Sequence, residues 1–176
     1  MEHLEQESIE EKEPVIKRIS IIIIAIFLIF LVTTYLLSNS IVRNISAGLI
    51  ESEVVKNYQV NLNKTTKLIF TKEAYDNLMK IYDQNQGVEF KACLKGYINK
   101  NYYINNIEIP KTYSQKYNQV IAEPCDSESL VDMHSHPLKH CLPSETDFNS
   151  FESFKEKNPH AIMAVMCQRN RFNFYF

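Results

Sequence analysis

The stretch MHSHPLKHCLPSETDFNSF, residues 133–151, decides how the rest of the chain is read. His134 and His136 alternate by two at the end of a predicted strand, and residues two apart on a strand point to the same side. Both imidazoles can therefore reach one metal ion. Pro137 restricts His136 to extended backbone and ends the strand there. Asp147 follows His136 by eleven residues, at the predicted start of a helix, and the intervening loop can fold it back as a third ligand. Two imidazoles and one carboxylate leave a fourth position open. Asp132, Ser144 and Glu145 are further oxygen donors nearby, so the residues alone leave the third ligand open. Ser144 has two readings. Its oxygen can accept from the backbone as a helix cap, or its proton can be donated to an oxyanion formed at a carbonyl.

Outward from this stretch the pattern is mixed. Residues 67–70 read as a strand, and Thr71 as the cap of a helix carrying Ala74, Leu78, Ile81 and Tyr82 at helical spacing to about Gln84. Gln86-Gly87 closes it. Residues 88–98 read as extended, with Val88, Phe90, Ala92 and Leu94 on one face and Glu89, Lys91 and Cys93 on the other. A turn at 99–101 leads into 102–109 and makes a hairpin. Residues 119–123 and 129–134 are further strands. Residues 147–157 form a helix through Phe148, Phe151 and Phe154, stopped by Asn158-Pro159, and 161–167 with 171–176 form a terminal hairpin. Strands and helices mixed in this way predict an α/β sandwich with a largely antiparallel sheet.

The site stretch resembles the JAMM motif of the MPN-domain zinc metalloproteases, H-[ST]-H-P-x6-S-x2-D with an upstream Glu. Here it runs His134-Ser135-His136-Pro137, six residues, Ser144, two residues, Asp147, and every position and gap matches. The resemblance covers residues 67–176. It implies the MPN (cytidine-deaminase-like) sandwich with a mixed, largely antiparallel sheet. It implies zinc as cofactor, held by His134, His136 and Asp147. It places Glu89, in GVEFKACLKG, as general acid/base and Ser144 as oxyanion stabiliser. The implied activity is hydrolysis of peptide or isopeptide bonds by metal-activated water, on protein substrates that include ubiquitin-like conjugates. On the residues alone Glu89 is a solvated strand carboxylate. Only 44 residues separate Glu89 from His134, which leaves no obvious room for a large substrate-gripping insertion. Two other readings are a catalytically silent MPN scaffold at a membrane and a zinc hydrolase of small amides or nucleobases. The complete residue set speaks against the first. The missing P-C-x-x-C pair speaks against the second, since Glu123-Pro124-Cys125-Asp126 does not supply it.

The rest of the chain falls into zones. Residues 1–18 form an acidic tail with Glu2, Glu5, Glu7, Glu10, Glu11 and Glu13. Residues 19–37, ISIIIIAIFLIFLVTTYLL, carry no charge and nearly span a hydrocarbon core of about 30 Å as a helix. The run exceeds the roughly 7–15 apolar residues of a signal peptide, so a transmembrane helix is expected. Lys12, Lys17 and Arg18 precede it, against a sparser Arg43 and Lys56 after it, which places the N-terminus in the cytoplasm and the C-terminal domain outside. Residues 38–66 are expected to be a helical stalk or linker, with Ile41, Ile45 and Leu49 on one stripe that Val54, Val55 and Tyr58 continue. This helix is the candidate cover for the side of the domain where the family often has a further C-terminal helix. A net charge of −2 offers no basic footprint for nucleic acid. Cys93, Cys125, Cys141 and Cys167 form no C-x-x-C pair. The bridge considered first is Cys141 with Cys167, tying the metal loop to the strand after the site helix; Cys93 with Cys125 is the other pairing. His140 reads as a solvated loop residue.

Overall fold

A computed structural model of the protein describes residues 15–137 and 139–176, and the predicted acidic tail lies outside them apart from its last four residues. The chain divides into two compact units, one ending at Arg43 and the other running from Asn44 to Phe176. The first contains α1 (Val15–Ser38), 24 residues long and with none of them buried. At ~1.5 Å per residue it is about 36 Å in length. Thr33 and Thr34 donate their hydroxyl protons to carbonyls three and four residues back, which satisfies them within the helix. The helix is long and apolar enough to cross a membrane, a property that signal sequences share.

Along the rest of the chain come α2 (Ser40–Glu51), β1 (Glu53–Val54), β2 (Gln59–Asn61), β3 (Lys67–Phe70), α3 (Lys72–Gln84), β4 (Lys91–Asn99) and β5 (Asn101–Glu108). These are followed by β6 (Thr112–Lys116), β7 (Gln119–Ala122), β8 (Ser129–Ser135), α4 (Glu145–Lys155), β9 (Ile162–Gln168) and β10 (Arg171–Tyr175). Among the described residues eight strands make one sheet in the order β1-β10-β9-β8-β4-β5-β3-β2, and β6 with β7 forms a separate ribbon. The β8–β9 and β3–β5 pairings are parallel and the others antiparallel. The two ends of the sheet come together, because β1 and β2 are joined by a tight turn with Lys56 and Gln59 hydrogen-bonded both ways. Asn57 and Tyr58 both have positive φ, 50° and 62°, the hand of turn that suits a two-residue hairpin. The result is a mixed α/β fold with a mostly antiparallel sheet that nearly closes into a barrel.

Strand alternation sorts the core. Phe90, Ala92 and Leu94 join Leu68, Ile104 and Met133 on one face, where α3 adds Ala74, Leu78 and Met79. Cys93 points the other way and packs with Phe151 and Phe154 of α4, Cys125 and Met163. Thr71 caps α3 by accepting from the Ala74 N–H at 3.2 Å. Lys100, with φ of 56°, turns β4 into β5.

Three expectations are corrected. The stalk helix stops at Glu51, and residues 53–61 are in the sheet. The carbonyls of Leu49 and Ser52 accept from the Arg171 guanidinium at 3.2 Å. That ends the helix and hands the β-branched pair Val54-Val55 to extended structure. Second, the run before His134 contains an unpredicted strand, β6, whose polar sequence TYSQK gives little alternation. Third, α4 begins two residues before Asp147, and its Phe148 is 41% exposed. It meets the Tyr175 ring edge-on, at 5.4 Å between ring centroids.

Candidate metal centre

The parallel unit β8–α4–β9 builds the site. The loop after β8 carries the chain back to α4, so the carboxyl end of β8 and the amino end of α4 meet. His134, on β8, and His136, just past its end, are 7% and 8% exposed. Asp147 is the third residue of α4. One ligand atom from each of the three lies within 4.8 Å of the others, a group that can hold a metal ion. The His134 Nε2 to Asp147 Oδ2 distance is 3.4 Å, and His136 Nε2 to the same oxygen is 3.8 Å.

The donors suit a metal on grounds independent of the motif. Among the described residues His134 Nε2 is the buried side-chain polar atom left without a hydrogen-bond partner. Such an atom is costly in a folded protein unless its lone pair or proton is engaged. His136 Nδ1 lies 2.8 Å from the His140 carbonyl oxygen. A carbonyl only accepts, so Nδ1 carries the proton and Nε2 presents its lone pair. Burial, reinforced by His134, pushes His136 down to about 4, so it is neutral at pH 7. Burial acts to raise the Asp147 carboxyl, but His134 and two hydrogen bonds from Ser144 override it and hold the group well below the usual carboxylate range. His136 therefore offers a neutral imidazole and Asp147 an ionised carboxylate, the states a cation binds.

Glu89 lies just before β4, with Oε1 at 3.6 Å from His136 Nε2. Its approach to the histidines is fixed from both sides of the chain. Ser135 Oγ accepts from the Phe90 N–H at 3.0 Å, and the Phe90 carbonyl accepts from the Ser135 N–H at 2.9 Å. Burial, with help from the Asp147 charge and against His134, pushes Glu89 up to about 7. A carboxyl so placed exchanges protons near neutrality.

Ser144 forms a capping box with Asp147. Its Oγ accepts from the Asp147 N–H at 3.2 Å, and Asp147 Oδ2 accepts from both the Ser144 N–H and hydroxyl at 2.7 Å. The hydroxyl thus orients the carboxylate as well as capping α4. The other candidate oxygen donors are elsewhere. Asp132 is paired with the Lys91 ammonium at 2.9 Å, and Glu145 is exposed. Both cysteine pairs are bridged, with Cα separations of 5.5 Å for Cys93–Cys125 and 5.0 Å for Cys141–Cys167.

A cavity of about 520 Å³ opens over the site. Its walls include Glu89, His136, Ser144 and Asp147, and opposite them the tip and second strand of the β6–β7 ribbon, Tyr117 to Ala122. The short segment between Glu89 and His134 thus supplies a wall of the cavity, which its length did not suggest. The ribbon is anchored beside Glu89, whose N–H donates to the Lys116 carbonyl at 2.8 Å and whose own carbonyl accepts from Gln115 Nε2 at 3.2 Å. Sequence reading also missed the parts played by Ser135 and the His140 carbonyl. A serine between two site histidines was a usable signal for the first. A backbone acceptor leaves no signal in residue type.

No protein-family model matches the chain, and no curated protein matches it in sequence. The fold and the site define an α/β domain with a candidate two-histidine, one-aspartate metal centre beneath a walled cavity.

Proposed function

We propose that the protein is a membrane-anchored zinc metallopeptidase of the JAMM type, hydrolysing peptide or isopeptide bonds, with residues 67–176 of the MPN class. The observation that carries this reading is the grouping of His134, His136 and Asp147 within 4.8 Å, with Glu89 3.6 Å from His136, beside the cavity that Glu89, His136 and Asp147 line. Three ligands rather than four are the signature of a catalytic zinc site. Zinc held by these residues would supply Lewis acidity toward water and the scissile carbonyl. Glu89 takes a proton from the attacking water as the new carbon–oxygen bond forms, and returns it to the leaving amine as the carbon–nitrogen bond breaks. His136 stays neutral, with Nδ1–H on the His140 carbonyl. Ser144 keeps Asp147 in place through its N–H, and its hydroxyl, which donates to Asp147 Oδ2 in the resting site, turns to donate its one proton to the oxyanion. The β7 strand is paired only with β6 among the described residues. Its free edge suits an extended peptide, so protein substrates are favoured, and a domain outside the cytoplasm favours proteins other than ubiquitin-like conjugates.

Residues 19–37 are read as the anchor, with the domain outside the cytoplasm. All four cysteines are paired, which fits an oxidising compartment, and the basic residues before the span lean the same way.

The test is zinc content and hydrolysis together. The full chain, purified in detergent, is expected to hold one zinc and to cleave members of a panel of peptides and ubiquitin-like fusions. Glu89→Gln should keep the zinc and lose at least about 100-fold in turnover, the scale of general acid–base catalysis. A variant with near-normal turnover would place the base elsewhere. A wild type that holds zinc but cleaves nothing in the panel would favour the scaffold reading.

A further inference from the structure

We propose that the Cys141–Cys167 disulfide is a positioning device for His136, acting through the His140 carbonyl, and that it sets the affinity of the site for its metal. The inference rests on the metal-site reading above. The observation is a closed ring of contacts around one ligand. The His136 N–H donates to the Met166 carbonyl at 2.9 Å. Met166 is followed by Cys167 on β9. Cys167 is bonded to Cys141. Cys141 is preceded by His140, whose carbonyl oxygen lies 2.8 Å from His136 Nδ1. His136 is thus gripped at its backbone and at its ring by neighbouring residues of one bridge.

Each part of the ring is placed to do this. Met166 and Cys167 are on a buried strand, 0% and 1% exposed, and Cys141 is 0% exposed. The bridge therefore ties the loop after β8 to the rigid part of the fold. His140 precedes the tether directly, so its carbonyl has little freedom to swing away. Its ring also stacks on that of His136, 5.8 Å between centroids. With the carbonyl in place, the imidazole has one tautomer, protonated on Nδ1, and only that tautomer presents a lone pair on Nε2 toward Asp147. Without the tether the carbonyl can leave, both tautomers are populated, and the ring can rotate. Hydrogen bonds of this outer kind are typically worth about 10–100-fold in metal affinity.

The other disulfide supplies the comparison. Cys93–Cys125 closes a similar length of chain, a separation of 32 residues against 26, but it packs against α4 among Phe151, Phe154 and Met163 and is not part of the ring. A general stabilising effect of disulfides would make the two alike. The positioning role makes them differ.

The experiment uses the full chain in detergent micelles and two readouts. The first is the affinity for zinc ion, measured by competition with a chromophoric chelator. Cys141→Ser/Cys167→Ser is expected to bind zinc about 10–100-fold more weakly than wild type, and Cys93→Ser/Cys125→Ser within about twofold of it. Equal losses in the two double variants, or none in the first, would overturn the proposal. The second readout needs no metal. In metal-free protein labelled with ¹⁵N-histidine, the His136 ring nitrogens should report the Nδ1–H tautomer in the wild type and a mixture in the Cys141→Ser/Cys167→Ser variant. If that variant does not fold, the Cys93→Ser/Cys125→Ser protein treated with a phosphine reductant takes its place in both measurements, read against the same protein untreated. An unchanged tautomer would overturn the positioning role even if the metal reading stands. A wild type with the Nδ1–H tautomer but no zinc affinity would overturn the metal reading, and with it the claim on affinity.

Discussion

Glu89 Oε1 and His136 Nε2 lie 3.6 Å apart and are displaced in opposite directions by the same burial. Glu89 is pushed from an ordinary 4.5 up to about 7, and His136 from 6.5 down to about 4. In the metal-free protein each makes stability depend on pH, with opposite sign. Glu89 is raised, so its contribution is full below pH 4.5 and is lost as pH rises toward 7. His136 is lowered, so its contribution is full above pH 6.5 and is lost as pH falls toward 4. Between pH 4.5 and 6.5 the two slopes oppose. Glu89→Gln should unmask the histidine, so that metal-free stability rises with pH more steeply than in wild type. The difference is at most about 1.4 kcal/mol per pH unit. Urea unfolding with a chelator present, repeated across this window, measures it. Parallel curves for variant and wild type would show that Glu89 is not buried as described.

The ligand assignment is checked by removing the ligands one at a time. His134→Ala and Asp147→Ala should each lose most of the zinc through gel filtration, as read by elemental analysis. They should differ in their metal-free stability. Asp147 also accepts from the Ser144 N–H and hydroxyl, so its loss weakens the start of α4 by about 1 kcal/mol. His134→Ala instead empties a buried position, 7% exposed, beside the His136 ring and leaves a cavity, so it should cost more. Unchanged zinc in both variants would sink the assignment.

Ser144 is asked to do two things, and one substitution separates them. Ser144→Ala should lower thermal stability by the cost of a lost cap, about 1 kcal/mol. It should also slow turnover by roughly 100-fold with zinc retained, the scale of a removed oxyanion donor. Turnover at the wild-type rate with the stability loss alone would leave Ser144 as a cap and a support for Asp147.

Much of this arrangement was legible in the sequence because the deciding groups are side chains at fixed spacing. His134 and His136 declared themselves by alternation and Thr71 by the apolar spacing that follows it, whereas Asp147 was one of several nearby oxygen donors until the JAMM resemblance singled it out. The face-by-face sorting of residues 88–94 came from period-two patterning. What stayed hidden was carried by backbone and by long-range pairing. Val54, Val55 and Tyr58 continue the helical stripe on paper, and leave the helix because Arg171, far along the chain, takes the carbonyls of Leu49 and Ser52. The β6 strand is polar and pairs only with its neighbour β7. The carbonyl of His140 matters while its side chain was read as solvated.

Gly48 ties α2 to the metal loop, and its replacement tests that contact. A Cβ at this position would lie 2.9 Å from Cys141 Cβ, and 3.1 Å and 3.2 Å from the Cys141 backbone nitrogen and Cα. These are too close for carbon, and a loop held by a disulfide on one side cannot yield cheaply. Its φ is not positive, so the clash is the whole cost, and alanine's better helix propensity offsets it by about 1 kcal/mol. Overpacking of this kind costs about 1–3 kcal/mol, so Gly48→Ala is expected to be net destabilising or at best neutral, whereas propensity alone would make it stabilising. Gly87→Ala is the control, since a Cβ there meets nothing within 4 Å and should change stability by no more than about 0.5 kcal/mol. Zinc affinity separates the two further. Gly48→Ala shifts the loop that holds the His140 carbonyl and should weaken binding, whereas Gly87→Ala should not. A Gly48→Ala protein more stable than wild type, with full zinc affinity, would show that α2 does not press on the metal loop.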